Sequence, residues 1–145
     1  MRYFGTRFGY YTTSNHELAS HARYVDPVVE TFGDLITAMG KVMFVPNNVD
    51  KMPLIFSYVE FARKYHKILE NNLNHHGGNY AAGNHVTIAD FVMASYIGNY
   101  LLNPAFPAAA QAMAIVGETP KFEAYIQTVQ NEFTYLKTRP TPGPM

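Results

Sequence analysis

The sequence contains no cysteine, which excludes disulfide frameworks, thiolate metal sites and any thiol nucleophile within the chain. Neither sign of charge dominates, since 11 Lys+Arg stand against 11 Asp+Glu. With no excess positive field to condense on phosphates, nucleic acid is not an expected partner. No apolar run approaches the roughly 20 residues that span a bilayer. The start, Met1-Arg2-Tyr3-Phe4-Gly5, lacks the charged and then apolar order of a signal peptide. No segment alternates as a strand does, no repeat of fixed period appears, and there is neither a glycine-rich phosphate cradle nor a nucleophile elbow. The histidines offer no metal site by spacing: His75 and His76 are adjacent, and His16 and His21 are five apart, whereas one helix face needs three or four.

What is present is enough to fold. A chain of 145 residues with 48% hydrophobic content can build one core without disulfides or metals. Its 11 Tyr and 10 Phe make that core aromatic, a composition that suits packing and an apolar ligand pocket equally.

The apolar residues fall at helical intervals. Val28, Phe32, Leu35, Ile36, Met39, Val42 and Met43 recur at spacings of three and four, which predicts an amphipathic helix running to about Phe44. Asp26-Pro27 predicts a kink or fresh start, because proline has no amide hydrogen and fits only the first helical turn. Val45-Pro46-Asn47-Asn48 ends that pattern. Pro53 opens a second helix with a face of Ile55, Tyr58, Val59, Ala62, Tyr65, Ile68 and Leu69, ending near Leu73. His75-His76-Gly77-Gly78 suits a helix C-terminus. A third helix is predicted from Ile88 to about Leu102, stopped by Asn103-Pro104, and a short fourth from Ala108 to Val116. Thr119-Pro120 opens a last one carrying Phe122, Tyr125, Ile126, Val129, Phe133 and Leu136, before a proline-rich tail from Thr138. The fold class is all-α.

Two start signals interlock in Gly83-Asn84-His85-Val86-Thr87-Ile88-Ala89-Asp90-Phe91. Thr87 as N-cap can accept from the Asp90 amide while the Asp90 carboxylate reaches back to the Thr87 amide, a capping box with aspartate in the usual place of glutamate. Val86 and Phe91 stand at the positions of a hydrophobic staple. Elsewhere, Asp26, Glu30 and Asp34 stand four apart and form an acidic line along one helix face, which by itself reads as a solvated surface.

Tyr80-Ala81-Ala82-Gly83 followed by Val86-Thr87-Ile88-Ala89-Asp90-Phe91 resembles the capping-box and staple signature of the sixth helix in the glutathione transferase superfamily. Val25 to Leu35 is similar to the family's fourth helix, in the style of its sigma, pi and mu members. Leu69 to Leu73 with Gly77-Gly78 resembles the end of its fifth, and Pro120, Phe122 and Tyr125-Ile126 resemble its closing helix. The implied architecture is a helical bundle around a buried central helix. Residues 1–12 would be the remnant of the last helix of a thioredoxin-like domain and its linker, 13–137 the helical domain and 138–145 the tail.

The resemblance places the glutathione-binding cis-proline, glutamine-serine pair and activating hydroxyl before Met1, so no catalytic residue is expected here and the chain alone is expected to be inert. Glutathione is implied only if the missing half is supplied. Asp34 matches an aspartate that approaches glutathione on the partner subunit, Gly40 and Phe44 match positions lining the apolar substrate pocket, and Arg2 matches an arginine near the dimer interface, where Asp26 and Glu30 would join it. For each, a packing or surface role competes. Two functions follow as expectations: an assembly module without activity, or an incomplete copy of a transferase or related isomerase that conjugates glutathione to apolar electrophiles. Either way, a protein partner should cover an exposed apolar face, as a thioredoxin-like half, a second copy, or subunits of a larger complex. The implied location is the cytoplasm, or an organelle reached by assembly.

Overall fold

In the computed structural model, residues 2–12, 21–46 and 48–134 are described, and apart from one isolated bridge between Tyr80 and Gly83 their regular structure is helical. Helix α1 spans Arg2–Arg7, α2 Asp26–Met43 and α3 Met52–His76. Helix α4 spans Ile88–Tyr96 and runs into a π-helical turn, Ile97–Leu101. Helix α5 spans Ala109–Ala114, a 3-10 turn Val116–Glu118, and α6 Pro120–Glu132.

The start of α2 follows from its proline. Residues 21–24 form a helical turn, Val25 interrupts it, and Pro27 occupies the first turn of α2, where its missing amide hydrogen costs no bond. The Asn72 side-chain amide donates to the Tyr24 carbonyl at 2.9 Å, and the Tyr65 hydroxyl donates to the Val28 carbonyl at 3.0 Å, so α3 holds both the turn and α2. Buried Leu35, Met39 and Val42 of α2 pack on the α3 face of Ile55, Tyr58, Ala62, Tyr65 and Leu69.

Helix α3 runs to His76, three residues beyond the end expected at Leu73, because nothing breaks it before Gly77. There φ is +62°, and the Gly77 amide donates to the Leu73 carbonyl, a left-handed cap that glycine adopts without steric cost. The bundle closes on α4, where Ile88, Ala89, Asp90, Val92, Met93, Ala94 and Tyr96 are all buried. Its expected continuation to Leu102 holds in length but changes form: the Leu102 amide donates to the Ile97 carbonyl five residues back, widening the last turn. Buried Asn103 receives this end, donating to the Asn99 carbonyl and accepting from the Ala105 amide.

Helix α5 is shorter than expected, since its last turn tightens into the 3-10 form before Thr119. Helix α6 opens at Pro120 as expected, and its first turn is capped from another helix: the Glu70 carboxylate accepts the Phe122 amide at 2.8 Å. It ends at Glu132, so Phe133 packs from just beyond the helix. Met1, His16, Leu136 and the tail at 138–145 lie outside the described residues.

Candidate docking face and the network beneath it

The capping box closes into something larger than a cap. Asp90 is fully buried, and its Oδ2 accepts the Thr87 amide at 2.7 Å, one half of the capping box, whose other half runs from the Asp90 amide to the Thr87 side chain; the same Oδ2 also accepts the Thr87 hydroxyl at 2.9 Å. Its Oδ1 accepts the Ala81 amide at 2.8 Å and the Tyr125 hydroxyl at 2.7 Å. One carboxylate thus ties the loop before α4, the first turn of α4 and the middle of α6. Burial pushes its pKa up, and these four donors oppose that shift. Gly83 shapes the loop: its φ is +127°, and its carbonyl lies where a Cβ on Gly78 would fall, so the two strands of the turn approach to backbone contact.

Above this network, α1 lies against the start of α4. The Ile88 amide donates to the Tyr10 carbonyl at 3.1 Å. Buried Gly5 sits so close that an added Cβ would come 2.4 Å from Ile88 Cγ2 and 2.8 Å from Tyr11 Cβ. Between the two helices opens a cleft of about 320 Å³ lined by Phe4, Gly5, Phe8, Tyr10, Ile88 and Phe91, with no charged side chain among them. Beside it Tyr3, Phe4 and Phe8 are 69%, 61% and 65% exposed. The ring of Phe91 meets Tyr10 at 4.9 Å and Phe133 at 5.2 Å. Val86, its expected staple partner, lines a neighbouring cleft with Tyr10, Tyr11, His21 and His85.

The residues expected at a dimer interface come together inside the chain. Arg2 bonds Asp26 through Nε at 3.1 Å and Glu30 through Nη2, while the Tyr11 hydroxyl donates to the Asp26 carboxylate at 3.1 Å. Glu30 and then Asp26 raise the already high pKa of Arg2, and burial followed by Asp26 raises that of Tyr11. Asp34 stands apart from them, exposed, at a cleft of about 340 Å³ between α2 and α3 lined also by Thr37, Ala38, Lys41, Leu54, Ser57, Tyr58 and Phe61. Gly40 and Phe44 are not in that lining. The Phe44 ring passes 3.8 Å from where a Cβ on Gly40 would stand and is otherwise 81% exposed.

A buried polar chain went unread in the sequence. His66 Nε2 lies 2.9 Å from the Tyr96 hydroxyl, which lies 3.5 Å from that of Tyr58, and the Phe122 ring covers the imidazole at 4.5 Å. Burial pushes the His66 pKa down to about 3, and burial pushes that of Tyr58 up to about 12. His66 Nδ1 is buried without a hydrogen-bond partner. The signal was present, since His66 falls four residues after Ala62 and three before Leu69 on the apolar face of α3.

Comparison with protein families matches residues 33–134 to the glutathione S-transferase C-terminal domain. The chain belongs to the glutathione S-transferase family, through that domain. Comparison with curated proteins and with solved structures finds no match. The matched stretch of this glutathione S-transferase domain runs from within α2 past the end of α6, so it takes in Asp34, Gly40, Phe44 and the Thr87–Asp90 box. Arg2, Asp26, Glu30 and all of α1 precede it. Among the described residues, no helix is long and apolar enough to cross a membrane.

Proposed function

We propose that this glutathione S-transferase C-terminal domain acts as a protein-interaction module, docked through the apolar cleft between α1 and the start of α4. The observation that carries the reading is the cleft itself: Phe4, Phe8, Tyr10, Ile88 and Phe91 form a lining without a charge, and its outer rings stand open to solvent. Contiguous apolar surface of this kind marks an interaction site far more often than a free surface, because each Å² left in water forgoes about 25 cal/mol. A protein surface is the fitting occupant, either a thioredoxin-like half or a subunit of a larger assembly.

The same reading makes the chain catalytically inert by itself. Thiol activation needs a donor held against the developing thiolate, and the two buried polar networks of the domain are both closed to a ligand. The Asp90 carboxylate is spent on its four donors, and His66 is sealed under Phe122. The test is retention of the 145-residue chain on glutathione-agarose. It should pass through with the unbound fraction, and specific elution by free glutathione would overturn the proposal.

A further inference from the structure

Three residues of α3 hold the beginning of α6, and they share one face because they stand three and four apart: Arg63, His66 and Glu70. Arg63 takes both oxygens of Glu118 in the 3-10 turn, with Nε at 2.9 Å and Nη2 at 3.2 Å, and also bonds Glu60 of its own helix. Glu70 accepts the Phe122 amide at 2.8 Å. Between these two polar ties lies His66, only 1% exposed, with the Phe122 ring over it at 4.5 Å. Its Nε2 meets the Tyr96 hydroxyl, whereas its buried Nδ1 has no hydrogen-bond partner among the described residues. The start of α6 is therefore a cover over one orphaned nitrogen.

That nitrogen makes the closed arrangement unfit for a charged imidazole. A neutral ring leaves Nδ1 as one unmet donor or acceptor, but the cation carries a proton on both nitrogens, and a buried charged donor without an acceptor is far more costly. The groups around the ring offer no relief. Tyr58 and Arg63 face it from α3, Tyr96 from α4 and Glu118 from the 3-10 turn, while α6 brings only the Phe122 ring and α5 has no titratable residue. Glu118, the one acid among these groups, already has both oxygens on Arg63. We infer that the first turn of α6 is an acid-released clasp: His66 takes a proton only when Phe122 lifts from α3, and the proton then holds that turn open. Release uncovers the Phe122 ring and the imidazole beneath it, a surface hidden at neutral pH. The clasp is separate from the apolar cleft at α1, so the inference stands or falls apart from the proposed function.

Amide hydrogen exchange between about pH 7 and pH 4 tests it, read as protection factors so that the intrinsic pH dependence of exchange is removed. The amides of Glu123 to Ile126 should be at least about tenfold less protected than those of Tyr58 to Tyr65, because the clasp opens without unfolding the bundle. Their protection should fall by about tenfold for each pH unit below about 6, since the freed imidazole titrates near 6.5 and the covered one only near 3. In His66→Phe, with helical content unchanged by circular dichroism, the slope should shrink to within about twofold over the same range. If that variant does not fold, the imidazole resonances of the intact chain decide, and in the closed form His66 should still be neutral at about pH 5. Three results contradict the inference: α6 amides protected as fully as those of α3, an acid slope that survives in His66→Phe, or a His66 ring that gains its proton near 6.5 while the α6 amides stay protected.

Discussion

Two of the carboxylate clusters in this domain, at Asp90 and at Asp26–Glu30, are built on opposite principles. Asp90 is buried and surrounded by neutral donors, two backbone amides and two hydroxyls, from three different segments. Asp26 and Glu30 meet a full positive charge in Arg2, whose side chain is half exposed, so water competes for the guanidinium and above all for its contact with the exposed Glu30. The Coulomb attraction is the stronger of the two on paper, yet exposure makes it the weaker in effect, because solvent screens the pair and ordering its long side chains costs entropy. Buried donors have no such alternative, so removing their acceptor leaves them unpaired. The fold should therefore depend on the neutral network and hardly notice the charged one.

The largest expected effect comes from Asp90→Ala. It strands the Ala81 and Thr87 amides and the Tyr125 hydroxyl, and on the order of 3–5 kcal/mol of stability should be lost in urea denaturation. Asp90→Asn keeps one acceptor oxygen but turns an amino group toward the other donors, and should fall between Asp90→Ala and the unaltered chain. A loss below about 1 kcal/mol for Asp90→Ala would break the comparison, since a surface cap is worth that much.

The second effect sharpens the contrast through pH. His66 has its pKa pushed from 6.5 to about 3 by burial, so the unfolded chain binds more protons than the folded one between those values. Stability should accordingly fall as the pH is lowered from 6.5 toward 3, by up to about 1.4 kcal/mol per pH unit. Asp90 works in the opposite sense above 3.8, because its raised pKa makes the folded state the better proton binder there. The contribution of His66 is isolated by comparing the chain with His66→Phe, whose stability should decline less steeply with acid. Parallel curves for the two proteins would show that the imidazole is not held neutral.

The smallest effect belongs to the exposed cluster. Arg2→Ala removes both ion pairs at once, and its thermal midpoint should match that of the unaltered chain within error. A drop as large as that of Asp90→Ala would invert the ranking and give α1 a structural weight its exposure argues against.

What the sequence disclosed divides along a related line. The Thr87–Asp90 box was legible because its two residues are three apart and the device is local. The other two partners of Asp90 were not, since Ala81 and Tyr125 reach it only once the loop and α6 are folded over α4. The same holds at the helix ends. Pro27 and Gly77 announce themselves through backbone geometry, whereas the Glu70 carboxylate that caps α6 acts across 52 residues, and the π-helical turn of 97–101 carries no local signal. Asp26 and Glu30 were visible as an acidic line, but the Arg2 that meets them stands 24 and 28 residues away. Asp34, grouped with them by spacing, separates from them in space. His66 was passed over because a polar residue in an apolar stripe reads as an interruption, and only the placement of Tyr96 turns it into a partner. Gly40 and Phe44, drawn from the family resemblance, meet each other and not the cleft that holds Asp34.

The central claim is that the rings between α1 and α4 form a surface meant to be covered. Fluorescence of a hydrophobic dye measures it most directly, comparing the chain with Phe4→Ser/Phe8→Ser at equal helical content by circular dichroism. The chain should bind the dye strongly and the double variant should lose most of the signal. Equal fluorescence from the two proteins would mean that this face is not what the domain presents.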